Sequence, residues 1–290
     1  MTSELHGVGT TAVAVAAARA LESTRPDALV RDPFASTLVE ASRMQVPYPH
    51  SWPADLADVA PLEQSLLLGS LYIGLRTRFI DDELRAGALR QVVILGSGLD
   101  TRSWRLDWLE DTTVFELDRD EVVSFVEAAL AASRAVPRAR RIAVAADVTE
   151  PWAARIVALG FRPAEPTHWV LEGLLPYLSA HDQAAVIDDV VHLSAPGSRL
   201  VVERAVPIED TPEARARLET FAQATGLPMD DVLARTDPPD PVAMLLAAGW
   251  VAHDTAITDL ERRYDRSLRL GADAPAPSRG GFVTGHRPND

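Results

Sequence analysis

Gln91-Val92-Val93-Ile94-Leu95-Gly96-Ser97-Gly98-Leu99-Asp100 carries a short β-rich run straight into two glycines separated by one residue. Glycine at 96 and 98 permits a tight turn and a close backbone approach to a ligand, the device used where a strand feeds a helix in a parallel sheet. The third position of a dinucleotide fingerprint falls on residue 101, which is Thr101 rather than glycine. Taken alone the turn is also compatible with glycines that only bend the chain, so the reading depends on what surrounds it.

Further β-rich runs follow at Thr113 to Leu117, Arg141 to Ala145, His168 to Leu171 and Arg199 to Val202, alternating with helical segments such as Glu121 to Ser133 and His181 to Leu193. That alternation predicts βαβ units, an α/β fold with a doubly wound, mostly parallel sheet and helices on both faces. Trp250 to Ile257 and Gly281 to His286 read as closing strands, the pair antiparallel, for an expected seven-stranded sheet. Upstream, Thr10 to about Arg90 is helical in pattern at Ala12 to Leu21, Pro33 to Leu38 and Leu62 to Leu84, interrupted by the proline-rich stretch from Val46 to Pro53. Val206 to Pro241 breaks the rhythm with Pro, Asp and Glu. The expected organisation is one domain over 1–290: a helical cap at 1–90, a sheet core at 91–205 and 241–290, and a lid insertion at 206–240.

A chain of 290 residues with 47% apolar and 24% charged side chains can bury a large core. It has no cysteine, which removes disulfides, thiolate metal sites and a cysteine nucleophile. Lysine is absent too, and arginine supplies all 28 basic charges, so Schiff-base chemistry, the P-loop lysine and the Tyr-x-x-x-Lys pair of many dehydrogenases are excluded. A formal charge of −14 repels phosphate backbones and anionic membranes. The apolar run Ala12 to Ala18 ends at Arg19, too short for an export signal, and no stretch approaches the roughly 20 apolar residues of a membrane helix. A cytoplasmic protein without nucleic-acid or membrane partners is expected. The histidines form no metal-ligand spacing, so no metal site is expected.

Acids stand at the ends of the next strands. Asp118 closes the second run about twenty residues beyond the glycines, where such folds place an acid on ribose hydroxyls. Asp147 closes the third, suited to accept a hydrogen bond from the exocyclic amine of adenine, or to cap a helix read at Glu150 to Leu159. Glu172 closes the fourth among apolar neighbours, where a carboxylate is expensive to bury without a partner. A glycine turn and three acids describe a cleft for an adenosine-bearing ligand. A nicotinamide cofactor calls for the full glycine fingerprint and ATP for a P-loop lysine, which leaves S-adenosylmethionine, with adenine, ribose and an amino acid but no phosphate. A nicotinamide-dependent oxidoreductase and a non-catalytic cofactor-binding module are the other classes to weigh.

Gly96 to Leu106, Phe115 to Asp118, Ala146-Asp147 and Glu172 to Leu178 resemble the ordered motifs of the leucine carboxyl methyltransferase family, closest to its bacterial branch of S-adenosylmethionine-dependent methyltransferases. Val8 to Ala12, Ala18 to Glu22, Asp32 to Ala35, Arg76 to Asp81 and Ser194 to Ser198 fit the same branch. The resemblance implies a Rossmann-like methyltransferase fold and S-adenosylmethionine as cofactor. It implies that Arg76 pairs with the cofactor's carboxylate, that Gly96 lies under its methionine portion, flanked by Ser97, Gly98 and Asp100, and that Asp118 holds the ribose. Asp147 with the backbone of Val148 would bind adenine, and Glu172, followed by Gly173, would lie near the amino group and sulfonium. A basic residue that some relatives carry before the Asp-Pro-aromatic motif has no counterpart; its position falls near Asp27, with Arg25 and Arg31 beside it. Arg102 and Arg105 read as ion-pair anchors of the first sheet helix.

Methyl transfer from a sulfonium is an in-line displacement in which the protein aligns and desolvates the partners. A carboxylate acceptor needs no general base at neutral pH, whereas a phenol or alcohol does. No unambiguous base is visible, so O-methylation of a carboxylate on a small molecule or peptide is expected, with phenol or alcohol O-methylation in secondary metabolism as the alternative. Tyr48, Trp52, Tyr177, Phe221 and Met229 are candidates to line the acceptor pocket.

Overall fold

The computed structural model describes residues 8–44, 46–55, 59–204, 238–269 and 280–289. Helices α1 (Val8–Ser23), α2 (Ala35–Ser42) and α3 (Pro61–Gly87) precede strand β1 (Gln91–Leu95). The order then runs α4 (Arg102–Arg105), β2 (Thr113–Asp118), α5 (Asp120–Ala132), β3 (Arg140–Ala145), α6 (Ala153–Ala158) and β4 (Thr167–Leu171). A single 3₁₀ turn at Leu175–Tyr177 leads to α7 (Ala180–His192), β5 (Arg199–Glu203), α8 (Pro241–Ala247), β6 (Val251–Ala256), α9 (Ile257–Arg263) and β7 (Gly281–His286).

The strands form a 7-stranded sheet in the order β3-β2-β1-β4-β5-β7-β6. Pairings from β3 through β5 are parallel, while β7 runs antiparallel to both β5 and β6. The chain winds outward from β1 to β3 and then jumps back to β4, so β1 and β4 flank the switch point where such sheets open a crevice. In register, Leu95 faces Leu117 on one side and Leu171 on the other, which brings the turns after these strands to one level.

Alternation along the strands divides the core. Val93, Leu95, Phe115, Leu117, Trp169, Leu171, Leu200 and Val202 pack on one face against Trp152, Ile156, Val186, Val190 and Trp250. Val92, Ile94, Val114, Val170, Val201 and Phe282 pack on the other against Leu71, Leu75, Phe79 and Ile80 of α3. Leu67, Leu71, Leu75 and Phe79 recur every fourth residue on α3, one buried stripe, and Pro61 starts that helix at a position where its missing N–H is not needed. Burying each such side chain contributes about 1.5–3 kcal/mol. Gly74 lets α1 approach closely, since a Cβ there would lie 2.6 Å from Cγ of Glu22.

The helix read at Glu150 to Leu159 is shorter, Ala153–Ala158. Pro151 disfavours helix at Glu150, and the residues after β3 form a side-chain-stabilised turn instead, with Asp147 Oδ1 accepting Thr149 N–H at 2.9 Å and its hydroxyl at 2.7 Å. The second helix likewise starts at Ala35 rather than Pro33. Almost all of the 206–240 insertion, with Phe221 and Met229, lies outside the described residues. No helix among the described residues is long and apolar enough to cross a membrane.

Candidate active site

At the carboxyl ends of β1 through β5 the turns enclose a cleft of about 420 Å³. Arg76, Gly96, Ser97, Gly98, Asp100, Asp118, Asp147, Val148, Glu172 and Gly173 all line it, as does Tyr177. Tyr48 and Trp52 do not: the Trp52 ring lies beneath the Arg25 guanidinium, 4.1 Å away, and the Tyr48 hydroxyl sits beside Gly69, with burial pushing its pKa up to about 12.

The glycine turn is conformationally demanding. Gly96 and Gly98 have φ of +63° and +51°, and a Cβ on Gly96 would lie 2.8 Å from Cδ1 of Leu174. Gly98 N–H donates to Oδ2 of Asp118 at 2.6 Å, and Arg119 N–H donates to Oδ1 at 2.8 Å. The acid at the end of β2 is therefore bound to the turn after β1. Burial raises the pKa of Asp118, with the two N–H groups opposing that shift. Asp147, engaged with Thr149, does not cap α6, whose N-cap is Trp152.

Beneath the cleft runs a buried ionic network. Arg76 places Nε 2.7 Å from Oε1 of Glu172 and Nη1 3.0 Å from Oε2 of Glu203. Arg102 places Nη1 2.7 Å from Oε2 of Glu172, pairs with Asp100, and sets Nε 2.7 Å from Oδ1 of Asp81. Burial alone would raise the pKa of Glu172; Arg102 and Arg76 outweigh it and bring it down to about 2. Arg105 pairs with Asp81 as well, so Arg102 and Arg105 are ion-pair anchors, and the former also fixes a cleft carboxylate. Arg78 instead pairs with Asp82 at 2.9 Å, two-fifths exposed and away from the cleft.

Three charged residues of the cleft, Arg19, Arg119 and Glu203, are not among those expected from the sequence. Arg19 of α1 donates Nε to Oδ2 of Asp32 at 2.6 Å and Nη2 to the Leu99 carbonyl at 2.6 Å, so a basic group does reach the cleft from the N-terminal side, while Arg25 and Arg31 do not line it. The signal was an arginine in the middle of the buried, alanine-rich stripe of α1. Glu203 closes β5 as the other acids close their strands, one position beyond the strand end read from sequence.

The donor set fits S-adenosylmethionine: carboxylates at three strand ends, Asp118, Asp147 and Glu172, for hydroxyl and amine donors, a guanidinium for a carboxylate, a glycine floor, and no lysine for a phosphate. Among the described residues no cluster of His, Asp or Glu has the makings of a metal site. The leucine carboxyl methyltransferase family model matches residues 12–191. A Streptomyces coelicolor protein assigned by its name to the S-adenosyl-L-methionine-dependent methyltransferases is 40% identical, the match covering 97% of this chain and 94% of that one. A similarly named protein of Saccharopolyspora erythraea is 39% identical over 92% of this chain and 93% of its own. The crystal structure of a DUF574 family protein from Streptomyces avermitilis shares the fold, with a TM-score of 0.55 over 99% of both chains at 12% identity. Sheet, cleft and relatives make this protein an S-adenosylmethionine-dependent methyltransferase. Within that class, the chain belongs to the leucine carboxyl methyltransferase family.

Proposed function

We propose that the protein transfers the methyl group of S-adenosylmethionine to a carboxylate oxygen of a small molecule or peptide. The observation that supports a carboxylate is that, among the described residues, no histidine lines the cleft and its acids are engaged. Glu172, held ionised at a pKa of about 2 by its arginines, is too weak a base to deprotonate a phenol or alcohol, Asp118 accepts from the Gly98 and Arg119 N–H groups, and Glu203 accepts from Tyr72 and Arg76. A carboxylate acceptor is already ionised at neutral pH.

In this reading Arg76 holds the cofactor's carboxylate, Glu172 faces its amino group and sulfonium, Asp118 takes the ribose hydroxyls, and Asp147 with Val148 N–H reads adenine. Gly96 forms the floor under the amino-acid end, with Ser97, Gly98, Asp100 and Gly173 completing the wall. When bound, the cofactor supplies a methyl group on a positively charged sulfur. The protein contributes alignment and water exclusion, and Leu174, Pro176, Tyr177 and Leu178 give the apolar side of the cleft. The net charge of −14 supports an acceptor that is neither nucleic acid nor an anionic membrane, and the absence of cysteine is in keeping with a cytoplasmic site of action.

The test incubates the protein and a metabolite extract with methyl-labelled cofactor, then treats the products with mild alkali. A methyl ester releases its label as methanol; a phenol or alcohol ether keeps it. Alkali-stable label would replace the carboxylate by the hydroxyl reading. No transfer with any acceptor, despite cofactor binding, would favour the non-catalytic module.

A further inference from the structure

Glu203, the last residue of β5, lines the cleft, and its carboxylate is engaged from three sides. Oε1 accepts the Tyr72 hydroxyl. Oε2 accepts Nη1 of Arg76 at 3.0 Å and the N–H of Gly173 at 2.7 Å. Tyr72 and Arg76 are four residues apart on α3 and share a helix face, so one carboxylate clamps two successive turns of α3 to the loop after β4. Burial, and then the neighbouring carboxylate, push the Tyr72 hydroxyl well above its ordinary pKa, which keeps it a donor. The fit is close: Gly173 has φ of +62°, and a Cβ there would lie 3.3 Å from Nη1 of Arg76.

An arginine on a flexible stem is a specific ligand only when its plane is fixed. Glu203 accepts a hydrogen bond from Nη1 of Arg76, whereas Oε1 of Glu172 stands 2.7 Å from Nε as a charge contact without hydrogen-bond alignment, so Glu203 is the carboxylate that orients the guanidinium. With Glu172 alone the plane could swing about a single contact.

We propose that Glu203 is a positioning residue for the amino-acid end of the cofactor, acting through Arg76 and the Gly173 turn and anchored by Tyr72. The proposal rests on the assignment of Arg76 to the cofactor's carboxylate. Glu203→Gln separates charge from geometry: its amide oxygen can accept from Arg76 and Gly173 while its amide nitrogen donates to the Tyr72 oxygen. Glu203→Ala removes all three contacts, and Tyr72→Phe removes only the anchor.

The experiment is calorimetry on the full chain, wild type and variants, with S-adenosylmethionine, S-adenosylhomocysteine and 5′-methylthioadenosine, which keeps the nucleoside and sulfur but has no amino-acid end. Glu203→Ala is expected to weaken the first two ligands by about tenfold or more and 5′-methylthioadenosine by less than about twofold. Glu203→Gln should recover most of the loss, and Tyr72→Phe should show a smaller loss with the same ligand pattern. If Glu203→Ala does not fold, the ligand pattern of Tyr72→Phe decides. Equal losses for all three ligands, or none for S-adenosylmethionine, would overturn the proposal. A wild type that binds 5′-methylthioadenosine as tightly as S-adenosylhomocysteine would overturn the Arg76 assignment, and a wild type that does not bind S-adenosylmethionine would overturn the functional reading as a whole.

Discussion

Replacing Arg76 by alanine should destabilise the fold as well as the site, because the guanidinium lies between two buried carboxylates. Its loss removes the 2.7 Å pairing with Glu172 and the 3.0 Å pairing with Glu203. Removing one partner of a buried ion pair costs about 3–5 kcal/mol. Glu172 keeps Arg102 at 2.7 Å, and Glu203 keeps Tyr72 and Gly173 N–H, which puts the expected loss at the lower end, roughly 3 kcal/mol. A second route gives a figure of similar size. Lowering Glu172 from 4.5 to about 2 is worth roughly 3 kcal/mol net of the opposing effect of burial, with Arg102 and Arg76 supplying the favourable part. A carboxylate held below its unfolded pKa adds stability that is fully present above pH 4.5 and is lost as the pH falls toward 2. Without Arg76, Glu172 loses one of the two cations that hold its pKa down and takes up its proton at higher pH, so the gap between wild type and variant should be widest near neutrality and narrow in acid. Urea unfolding at about pH 7 and pH 3 measures it. A gap below about 1 kcal/mol at the higher pH, or one that does not change with pH, would refute the reasoning. On the binding side, Arg76→Ala should weaken S-adenosylmethionine but leave adenosine nearly untouched, Arg76→Lys should rescue only part of the loss, and the surface variant Arg78→Ala should do neither.

Asp118→Ala should weaken S-adenosylmethionine by about 1.5–3 kcal/mol in calorimetry and, because Gly98 and Arg119 lose their acceptor, should also lower stability by about 1–3 kcal/mol in thermal melts. An unchanged dissociation constant in a folded variant would count against the ribose assignment. His168 is held neutral, first by burial and then by Arg199, with its pKa lowered from 6.5 to about 3. The unfolded chain therefore binds the extra proton, and the group's contribution to stability should fall by about 1.4 kcal/mol per pH unit as the pH drops below 6.5 toward 3. His168→Leu should flatten that part of the stability-versus-pH curve, and an unaltered slope would contradict the assignment.

The sheet was legible because its signals are local. Val92 to Leu95 and Phe282-Val283 announce strands by composition, and the two glycines mark the turn at the first strand's end, so β1 and β7 were bounded to the residue. Asp118, Asp147 and Glu172 could be located for the same reason: each sits at a strand end, and strand ends in this fold converge. Arg19 and Glu203 are different in kind. The partners of Arg19 lie 13 and 80 residues away, and those of Glu203 lie 131, 127 and 30 residues away, so no window of sequence contains the pairing. Tyr48 and Trp52 are aromatic, but ring type alone does not tell which cavity a residue of the N-terminal region faces, and neither lines the cleft at the strand ends. The start of α6 was misplaced because the Asp147–Thr149 turn competes locally with the helix.

The antiparallel insertion of β7 has a consequence for the order in which the protein can be assembled during synthesis. β6 finds its partner only in β7, and β7 lies between β6 and β5, with Phe282 directly opposite Glu203. When residues 251–256 leave the ribosome, the place beside β5 is still vacant, and β6 cannot take it without giving the wrong strand order. A nascent chain stalled before residue 281 thus exposes the bare edge of the strand that carries Glu203, a template for pairing with other chains. Release of the segment containing Gly281–His286 is therefore the event that lets one flank of the cleft form, whatever the earlier strands have already done.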